Sequence, residues 1–397
     1  MRKLLVGFLA AVLVAALLRG VCAPALAQSS VITAQVISNL NVRSGPGTTY
    51  DILTQLPRGA VVIVQGRNLA GDWLRVHTEN GAVDGWVTSR YLVLLNGADL
   101  SALAVVSGEV VGPREVAELT TAEFLASVTV DDLLARLQST PVLPTISERT
   151  HAIYRVGQAQ GRRPNVFSKV GDCMTDSDSF LLPFGVGEYD LGPYADLQAT
   201  IDYFSAVSPR PADGVANSFV NDSMAAYTGF NAAAVLDPSW SDPTHCNPGE
   251  VPLECEYRLV NPGVALVMFG AVDMQYMTAE AFAFYMRQIV WLSIDRGIIP
   301  VLSTFPSSPN YHWEDTIRFN GLVLEIARQE QVPLINFWLA TRTLPNFGLE
   351  EDYFHLAYNP EGRQMSFNGD EAVWGFTLRN LLTLQMLDEL RRNVFYG

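Results

Sequence analysis

Residues 264–305 carry the pattern that decides the fold of the larger part of the chain. They begin with the apolar stretch VALVMFG (264–270) and continue through the helix-like TAEAFAFYMRQIVWLSIDRG (278–297) to a second apolar stretch, IIPVLSTF (298–305). Two short apolar runs separated by an amphipathic helix are typical of parallel strands joined by a crossover helix. This stretch therefore predicts a parallel sheet.

The same alternation extends to both sides of that stretch. Upstream, the strand-like NVFSKV (165–170) runs into the polar GDCMTDSDS. Downstream, a helix-like segment (313–331) leads to VPLINFW (332–338), and residues 371–392 form a final amphipathic helix. Residues 151–397 are therefore predicted to form an α/β domain, with helices on both faces of the sheet and ligand chemistry at the carboxyl ends of its strands.

The chain before this domain differs in character. Residues 31–96 combine short runs of β-branched and aromatic residues with Gly, Pro and Asn, and no helical period extends across them, which predicts a small all-β barrel. Residues 97–150 are predicted to be a linker with two short helices, at TTAEFLASV (120–128) and VDDLLARLQ (130–138).

The first 27 residues have the order of a secretory signal peptide. Arg2 and Lys3 precede an apolar run at 4–18, and the small-residue sequence Ala25-Leu26-Ala27 follows. The apolar run is short for a membrane span, which needs about 20 residues. We therefore expect export, cleavage after residue 27 and no membrane span in the mature protein, whose location would be extracytoplasmic; a retained membrane anchor is the alternative.

Composition excludes one class of partner. The 397 residues contain 26 basic and 41 acidic side chains, for a formal net charge of −15. Nucleic-acid binding demands a basic face for the phosphates, so no nucleic-acid partner is expected.

The expected export would place the cysteines in an oxidising compartment, where disulfides can form. Cys246 and Cys255 bracket the loop CNPGEVPLEC, and this spacing favours a local disulfide in an oxidising compartment. Zinc binding is the competing interpretation, but no further Cys or His pair lies at ligand spacing. Cys173 is left as an odd thiol.

Polar residues follow three of the predicted strands. Asp172 and Cys173 come after the first strand, Asp273 after the second, and Asp352 and His355 lie in the loop after the last. A nucleophile, a base and a residue that orients the base are the minimum for acyl transfer, and the sheet topology brings them to one edge.

The β segment resembles the bacterial SH3-type (SH3b) family. The resemblance rests on LNVRSGPG (40–47), Trp73-Leu74 and Gly85-Trp86-Val87, together with Tyr50. It implies an SH3-like barrel that targets the protein to the cell wall or another extracellular polymer. The aromatic rings of Tyr50, Trp73 and Trp86 could line a ligand groove, but we expect them to fill the core of so small a barrel.

The α/β domain resembles the SGNH (GDSL-type) hydrolases. KVGDCMTDS (169–177) is similar to the family's nucleophile block, MFGAVDM (268–274) to its Gly-x-Asn-Asp block and Asp352-x-x-His355 to its last block; Tyr227-Thr228-Gly229 is a weaker match to its Gly block. The resemblance implies a three-layer α/β/α, flavodoxin-like domain. It also implies that His355 is the general base, that Asp352 orients it and that the backbone of Gly229 contributes to the oxyanion hole.

Two positions depart from the family pattern. Cys173 stands where the family has a serine nucleophile, and Val272 stands where an asparagine would donate a hydrogen bond to the oxyanion. Two functions remain open. One is an exported, envelope-associated hydrolase acting on esters of glycans or wall polymers through Cys173, with no metal or organic cofactor. The other is a catalytically degraded hydrolase fold that serves as a binding protein.

Carboxylates near the predicted site raise the question of a metal. For Asp172, Asp176 and Asp273 we expect capping and loop hydrogen bonds rather than metal ligation. No metal site is therefore predicted.

Overall fold

The fold is that of a computed structural model, which describes residues 32–47, 50, 52–68, 71–78, 83–95, 103 and 121–396. The predicted signal peptide (1–27) lies outside the described residues, and so does most of the first half of the predicted linker (97–150). The described residues contain no helix that is both long and apolar enough to cross a membrane.

The N-terminal part is an antiparallel sheet with the strand order β3-β2-β6-β5-β4-β1-β7. Its strands are β1 (Ile32–Val36), β2 (Leu40–Arg43), β3 (Ile52–Leu56), β4 (Val61–Arg67), β5 (Trp73–His77), β6 (Asp84–Thr88) and β7 (Leu92–Leu94). Alternate residues of these strands point inward, so that Val42, Leu74 and Val76 are fully buried in a small core of their own. The predicted small β domain is confirmed.

The aromatic residues of this domain do not all lie in its core. Trp73 and Trp86 are buried, as expected for a small barrel. Tyr50 is 48% exposed, so the prediction that it fills the core is wrong. Its ring instead covers Gly45, where a Cβ atom would lie 2.3 Å from the ring. Only glycine leaves room for this contact.

A parallel sheet of four strands forms the centre of the second part, with the order β11-β10-β9-β8. The strands are β8 (Arg163–Gly171), β9 (Pro262–Met268), β10 (Ile299–Ser303) and β11 (Leu334–Ile335). They coincide with the four strands predicted from the sequence. Every residue of β9 is buried, which requires that both faces of the sheet be covered.

Eleven α-helices occur among the described residues. They are α1 (Thr121–Ser127), α2 (Val130–Ser139), α3 (Glu148–Ala159), α4 (Cys173–Asp176), α5 (Leu182–Val186), α6 (Gln198–Ser205), α7 (Pro252–Val260), α8 (Ala279–Asp295), α9 (Trp313–Glu330), α10 (Phe337–Ala340) and α11 (Gly375–Leu390). Helices α2, α8 and α9 pack in one group and α6 and α11 in another. The sheet therefore lies between layers of helices, as predicted.

Helix α2 falls in the predicted linker but packs against the α/β domain. Its N-terminus is closed by Thr129, whose hydroxyl accepts a hydrogen bond from the backbone N–H of Asp132. Leu133 and Leu137 are fully buried against α9, and the side chain of Asn336 donates to the carbonyl oxygen of Leu137. The apolar face of α2 is thus buried against the α/β domain.

Candidate active site

The turn after β8 places Cys173 at the edge of the sheet. Gly171 ends the strand with no room for a side chain, because a Cβ atom there would lie 2.3 Å from Oγ1 of Thr175. Asp172 then caps α4, and its Oδ1 accepts a hydrogen bond from the backbone N–H of Met174 at 3.0 Å. Cys173 is the first residue of α4, so its side chain is held by both the strand and the helix.

Asp352 and His355 form a bonded pair in the loop that follows β11. Oδ2 of Asp352 lies 2.6 Å from Nδ1 of His355, and Oδ1 accepts from the backbone N–H groups of Phe354 and His355. Partial burial alone would raise the pKa of Asp352, but the hydrogen bonds from His355 and the backbone outweigh it and lower the pKa. The carboxylate therefore orients the imidazole.

One surface cavity brings the three predicted residues together. It has a volume of about 350 Å³ and is lined by Cys173, Met174, Ser177, Glu350, Asp352, His355, Leu356, Tyr358 and Phe376. Within the described residues, no hydrogen bond joins Sγ of Cys173 to the His355 ring. The pair and the thiol line one cavity, and no hydrogen bond links them.

The thiol of Cys173 is not activated in the resting protein. Burial raises its pKa to about 12, and the nearby carboxylate of Asp172 adds to the shift. The backbone N–H groups of Met174 and Cys173 favour the thiolate but are the weaker influence. At neutral pH, Cys173 is therefore a protonated thiol.

A buried arginine lies beneath this turn. The guanidinium of Arg379 donates to the carbonyl oxygen of Met174 at 2.6 Å and to Oγ1 of Thr175 at 2.9 Å, and it stacks over Phe180. Burial raises the pKa of Asp172 to about 6, and the charge of Arg379 opposes that rise. Arg379 thus fixes the turn that carries the thiol and compensates the charge of Asp172.

Sequence reasoning missed Arg379. The signal for it was a single basic residue in the middle of GFTLRNLLTLQ (375–385), a stretch otherwise apolar enough to be buried. A charge at such a position has to be paired or hydrogen-bonded.

The segment at 268–274, which is similar to the Gly-x-Asn-Asp block, has a structural role after β9. Asp273 is fully buried and accepts hydrogen bonds from the backbone N–H groups of Ala232 and Gly270, at 2.7 and 2.8 Å. Burial raises its pKa to about 7. Val272 is buried and its side chain has no donor. Asp273 therefore links the loop that contains Ala232 to the turn after β9. These are loop hydrogen bonds of the kind expected from the sequence.

The turn that contains Gly229 is hydrogen-bonded to the turn that carries Cys173. The backbone N–H of Tyr227 donates to the carbonyl oxygen of Gly171, and both the N–H and the hydroxyl of Thr228 donate to Oδ2 of Asp176. Gly229 itself is exposed, with a φ of +88°, and does not line the cavity of Cys173. Its role in an oxyanion hole stays a prediction.

The other two described cysteines lie outside the site. Cys246 and Cys255 form a disulfide with a Cα–Cα distance of 5.2 Å, as the sequence predicted. Glu250 lies close to both sulfur atoms. Because both sulfurs are committed to the disulfide, this cluster offers no thiolate ligand for zinc.

Comparison with known proteins identifies the N-terminal segment. Residues 38–93 match the family described as Bacterial SH3 domain. The match includes β2 to β6 and most of β7 but not β1, and the sequence resemblance is confirmed for this segment. A comparison with curated proteins finds no match.

Among solved structures, two similar chains are described as GDSL-type proteins. One is a proposed lipolytic protein of the G-D-S-L family from Desulfitobacterium hafniense, with 14% identity and a TM-score of 0.33; 56% of this chain and 98% of that chain are covered. The other is a GDSL-like lipase from Bacteroides thetaiotaomicron, with 11% identity and a TM-score of 0.32; 60% of this chain and 98% of that chain are covered. The residue assignments rest on the geometry of this chain itself.

Proposed function

We propose that the protein is an exported ester hydrolase of the cell envelope. Cys173 is the nucleophile, His355 the general base, and Asp352 the residue that orients His355. The observation that supports this proposal is the Asp352–His355 pair, bonded at 2.6 Å and facing the same cavity as the thiol. An oriented imidazole beside a nucleophile is the arrangement that acyl transfer needs.

The reaction runs in two halves. In the first, Sγ of Cys173 bonds to the acyl carbon while its proton passes to Nε2 of His355; the ester C–O bond then breaks, and the leaving alkoxide takes that proton. The product of this half is a thioester. In the second half, water gives a proton to His355 and attacks the thioester, which releases the carboxylic acid and returns the proton to the thiol. The reaction uses no metal or organic cofactor.

The raised pKa of Cys173 decides how the proton moves. A resting thiolate–imidazolium pair needs a thiol of depressed pKa, and this thiol has a pKa of about 12. His355 would therefore remove the proton during attack, as a histidine does for a serine hydroxyl.

Stabilisation of the oxyanion is the weakest part of the proposed mechanism. In the proposed mechanism the backbone N–H group of Cys173 binds it, and Val272 contributes nothing. A contribution from Gly229, which does not line the cavity, stays a prediction. The loss of one oxyanion donor costs a factor of about 10² to 10³ in rate. We therefore expect slow turnover.

An assay with a short-chain aryl ester tests this function. Wild type is compared with Cys173→Ala, Cys173→Ser and His355→Ala, each checked for folding by thermal unfolding. We expect hydrolysis by wild type and loss of that activity in both alanine variants. Wild-type turnover no faster than that of His355→Ala would sink the proposal.

The substrate and location rest on other observations. The match of residues 38–93 to the bacterial SH3 domain supports attachment to a cell-wall polymer, and the leader-like first 27 residues support export. We propose that the esters are acyl groups on glycans or wall polymers. The full chain should sediment with purified bacterial cell walls; if it remains in the supernatant, envelope attachment is contradicted.

The second candidate function is binding without catalysis. Its supporting observation is the combination of a protonated, half-buried thiol at Cys173 with the missing donor at Val272. The same assay separates the two functions. Hydrolysis by Cys173→Ser alone would mean that the scaffold is competent and that the natural protein is a binding protein that has lost catalysis.

A further inference from the structure

A second cavity is lined in part by Ala226, Tyr227 and Phe230, which flank Gly229 in the chain. It has a volume of about 490 Å³, and we refer to it as the acidic cavity; its lining residues are Asp176, Asp222, Ser223, Met224, Ala226, Tyr227, Phe230, Ser239, Trp240, Ser241 and Asp242. It contains none of the proposed catalytic residues. Its size is in the usual range for a small-molecule site.

Two exposed aromatic rings line this cavity. Tyr227 is 59% exposed and Trp240 is 52% exposed, although both are large rings that a fold normally covers. The buried ring of Phe230 holds them in place, with centroids 5.6 Å from Tyr227 and 5.8 Å from Trp240. Both rings thus pack against a buried ring and remain open to solvent.

Three carboxylates share the cavity with these rings. Asp176 is anchored through Oδ2 by Thr228. Asp242 is held by Thr244 and His245, whose hydrogen bonds lower its pKa to about 2. Asp222 is exposed, and within the described residues its carboxylate makes no hydrogen bond or ion pair.

Two cations lie near these carboxylates. The guanidinium of Arg210 donates to the backbone carbonyl oxygen of Asp222 at 3.0 Å and forms an ion pair with Asp213 at 3.6 Å. Lys169 on β8 is 7% exposed, and the charges of Asp222 and Asp176 act on its ammonium group. Within the described part of the chain, this ammonium forms no hydrogen bond or ion pair. Because Arg210 is paired with Asp213, the single charge of Lys169 is left against the three carboxylates, so the cavity stays negative.

The three carboxylates do not form a compact three-ligand metal site. Among the described residues, the only group of three potential ligands whose atoms lie within 4.8 Å of one another is the Cys246–Glu250–Cys255 cluster. The aspartates of the acidic cavity do not form such a group. An organic cation with a carbon surface would use both the carboxylates and the exposed rings of Tyr227 and Trp240.

We propose that the acidic cavity binds an organic ammonium group, a protonated amine carried on a sugar ring or on a short carbon chain. Asp222 provides the unpaired carboxylate for the amine. Tyr227 and Trp240 provide faces that attract both the cation and the carbon skeleton next to it. This binding does not depend on whether Cys173 is a nucleophile.

Calorimetric titration of the full chain with paired ligands tests the site. D-glucosamine is compared with N-acetyl-D-glucosamine, and alaninamide with N-acetylalaninamide, because acetylation removes the charge and keeps the skeleton. At low salt we expect each free amine to bind about tenfold more tightly than its acetylated partner, and added salt should weaken the binding. The stronger of the two amines tells whether the skeleton is a sugar or a short chain.

Variants show whether the binding is at this cavity. Asp222→Asn removes the charge with little change in shape and should weaken amine binding about tenfold. Trp240→Leu should weaken it as well. The matched control is Asp196→Asn, which removes an exposed carboxylate that does not line the cavity and should leave binding unchanged.

Three results would overturn the proposal. The first is no binding of either amine at millimolar concentration. The second is equal binding of an amine and its acetylated form. The third is full affinity in a folded Asp222→Asn variant. None of these results bears on ester hydrolysis, which the aryl-ester assay measures separately.

Discussion

The rate at which Cys173 is alkylated reports directly on the pKa of its thiol. The pKa of about 12, against an ordinary 9.0, means about a thousandfold less thiolate at pH 7.5. A thiolate whose thiol has a pKa of about 12 is roughly 20-fold more nucleophilic than one whose thiol has a pKa of 9.0, which offsets part of that loss. We therefore expect iodoacetamide to modify Cys173 about 50-fold more slowly than N-acetylcysteine, before any further slowing by restricted access.

The measurement needs a single thiol. Cys246 and Cys255 are joined in a disulfide, and a Cys22→Ser background removes the remaining cysteine. Intact-mass spectrometry at several time points then gives the rate of modification. The rate should rise tenfold per pH unit without a plateau up to about pH 10.

The causes of the shift can be tested separately. Burial is the larger cause and the Asp172 carboxylate the second, so Asp172→Asn should speed alkylation several-fold while its Oδ1 still accepts from Met174. Asp196→Asn serves as the charge-matched control and should have no effect. The reasoning is refuted if Cys173 reacts as fast as N-acetylcysteine, or if Asp172→Asn leaves the rate unchanged.

Two further predictions concern the buried charges around the site. Arg379→Met should lower the free energy of unfolding by about 3 to 5 kcal/mol, because Asp172 loses its compensating charge and the carbonyl oxygen of Met174 loses its donor. Urea denaturation measures this change. A loss under about 1 kcal/mol would contradict the prediction. The carboxyl of Asp273, with a pKa that burial raises to about 7, binds its proton more tightly in the folded protein, so stability should fall as the pH rises from about 4 through 7. Thermal unfolding should show a higher midpoint at pH 5 than at pH 8, with a smaller difference in Asp273→Asn; an identical difference in both proteins would count against this assignment.

The strands and helices of the α/β domain could be predicted because burial leaves a periodic trace in the sequence. A strand buried on both faces must be continuously apolar, as β9 is, and a covering helix must be apolar on one side. The strand ends then follow from topology. For this reason Cys173, Asp352 and His355 could be placed at one edge, and the structure finds them around one cavity.

The packing contacts of individual side chains could not be predicted in this way. Trp73 and Trp86 are buried while Tyr50 is exposed, although all three are aromatic residues in strand-like surroundings. The difference arises because the ring of Tyr50 lies over Gly45, and no local pattern records that contact. The packing of α2 on α9 has the same origin, since the amphipathic pattern of α2 does not name its partner.

The sequence by itself determined the order of elements, the small β domain predicted at 31–96 and the chemical types present at the strand ends. The tertiary structure alone decided their electrostatic state. Burial and the nearby Asp172 keep the Cys173 thiol protonated, and Arg379 reaches that turn from a helix about 200 residues further along the chain. The physical reason is that desolvation and charge pairing depend on distances in space, whereas a sequence pattern records only which residue types a position tolerates.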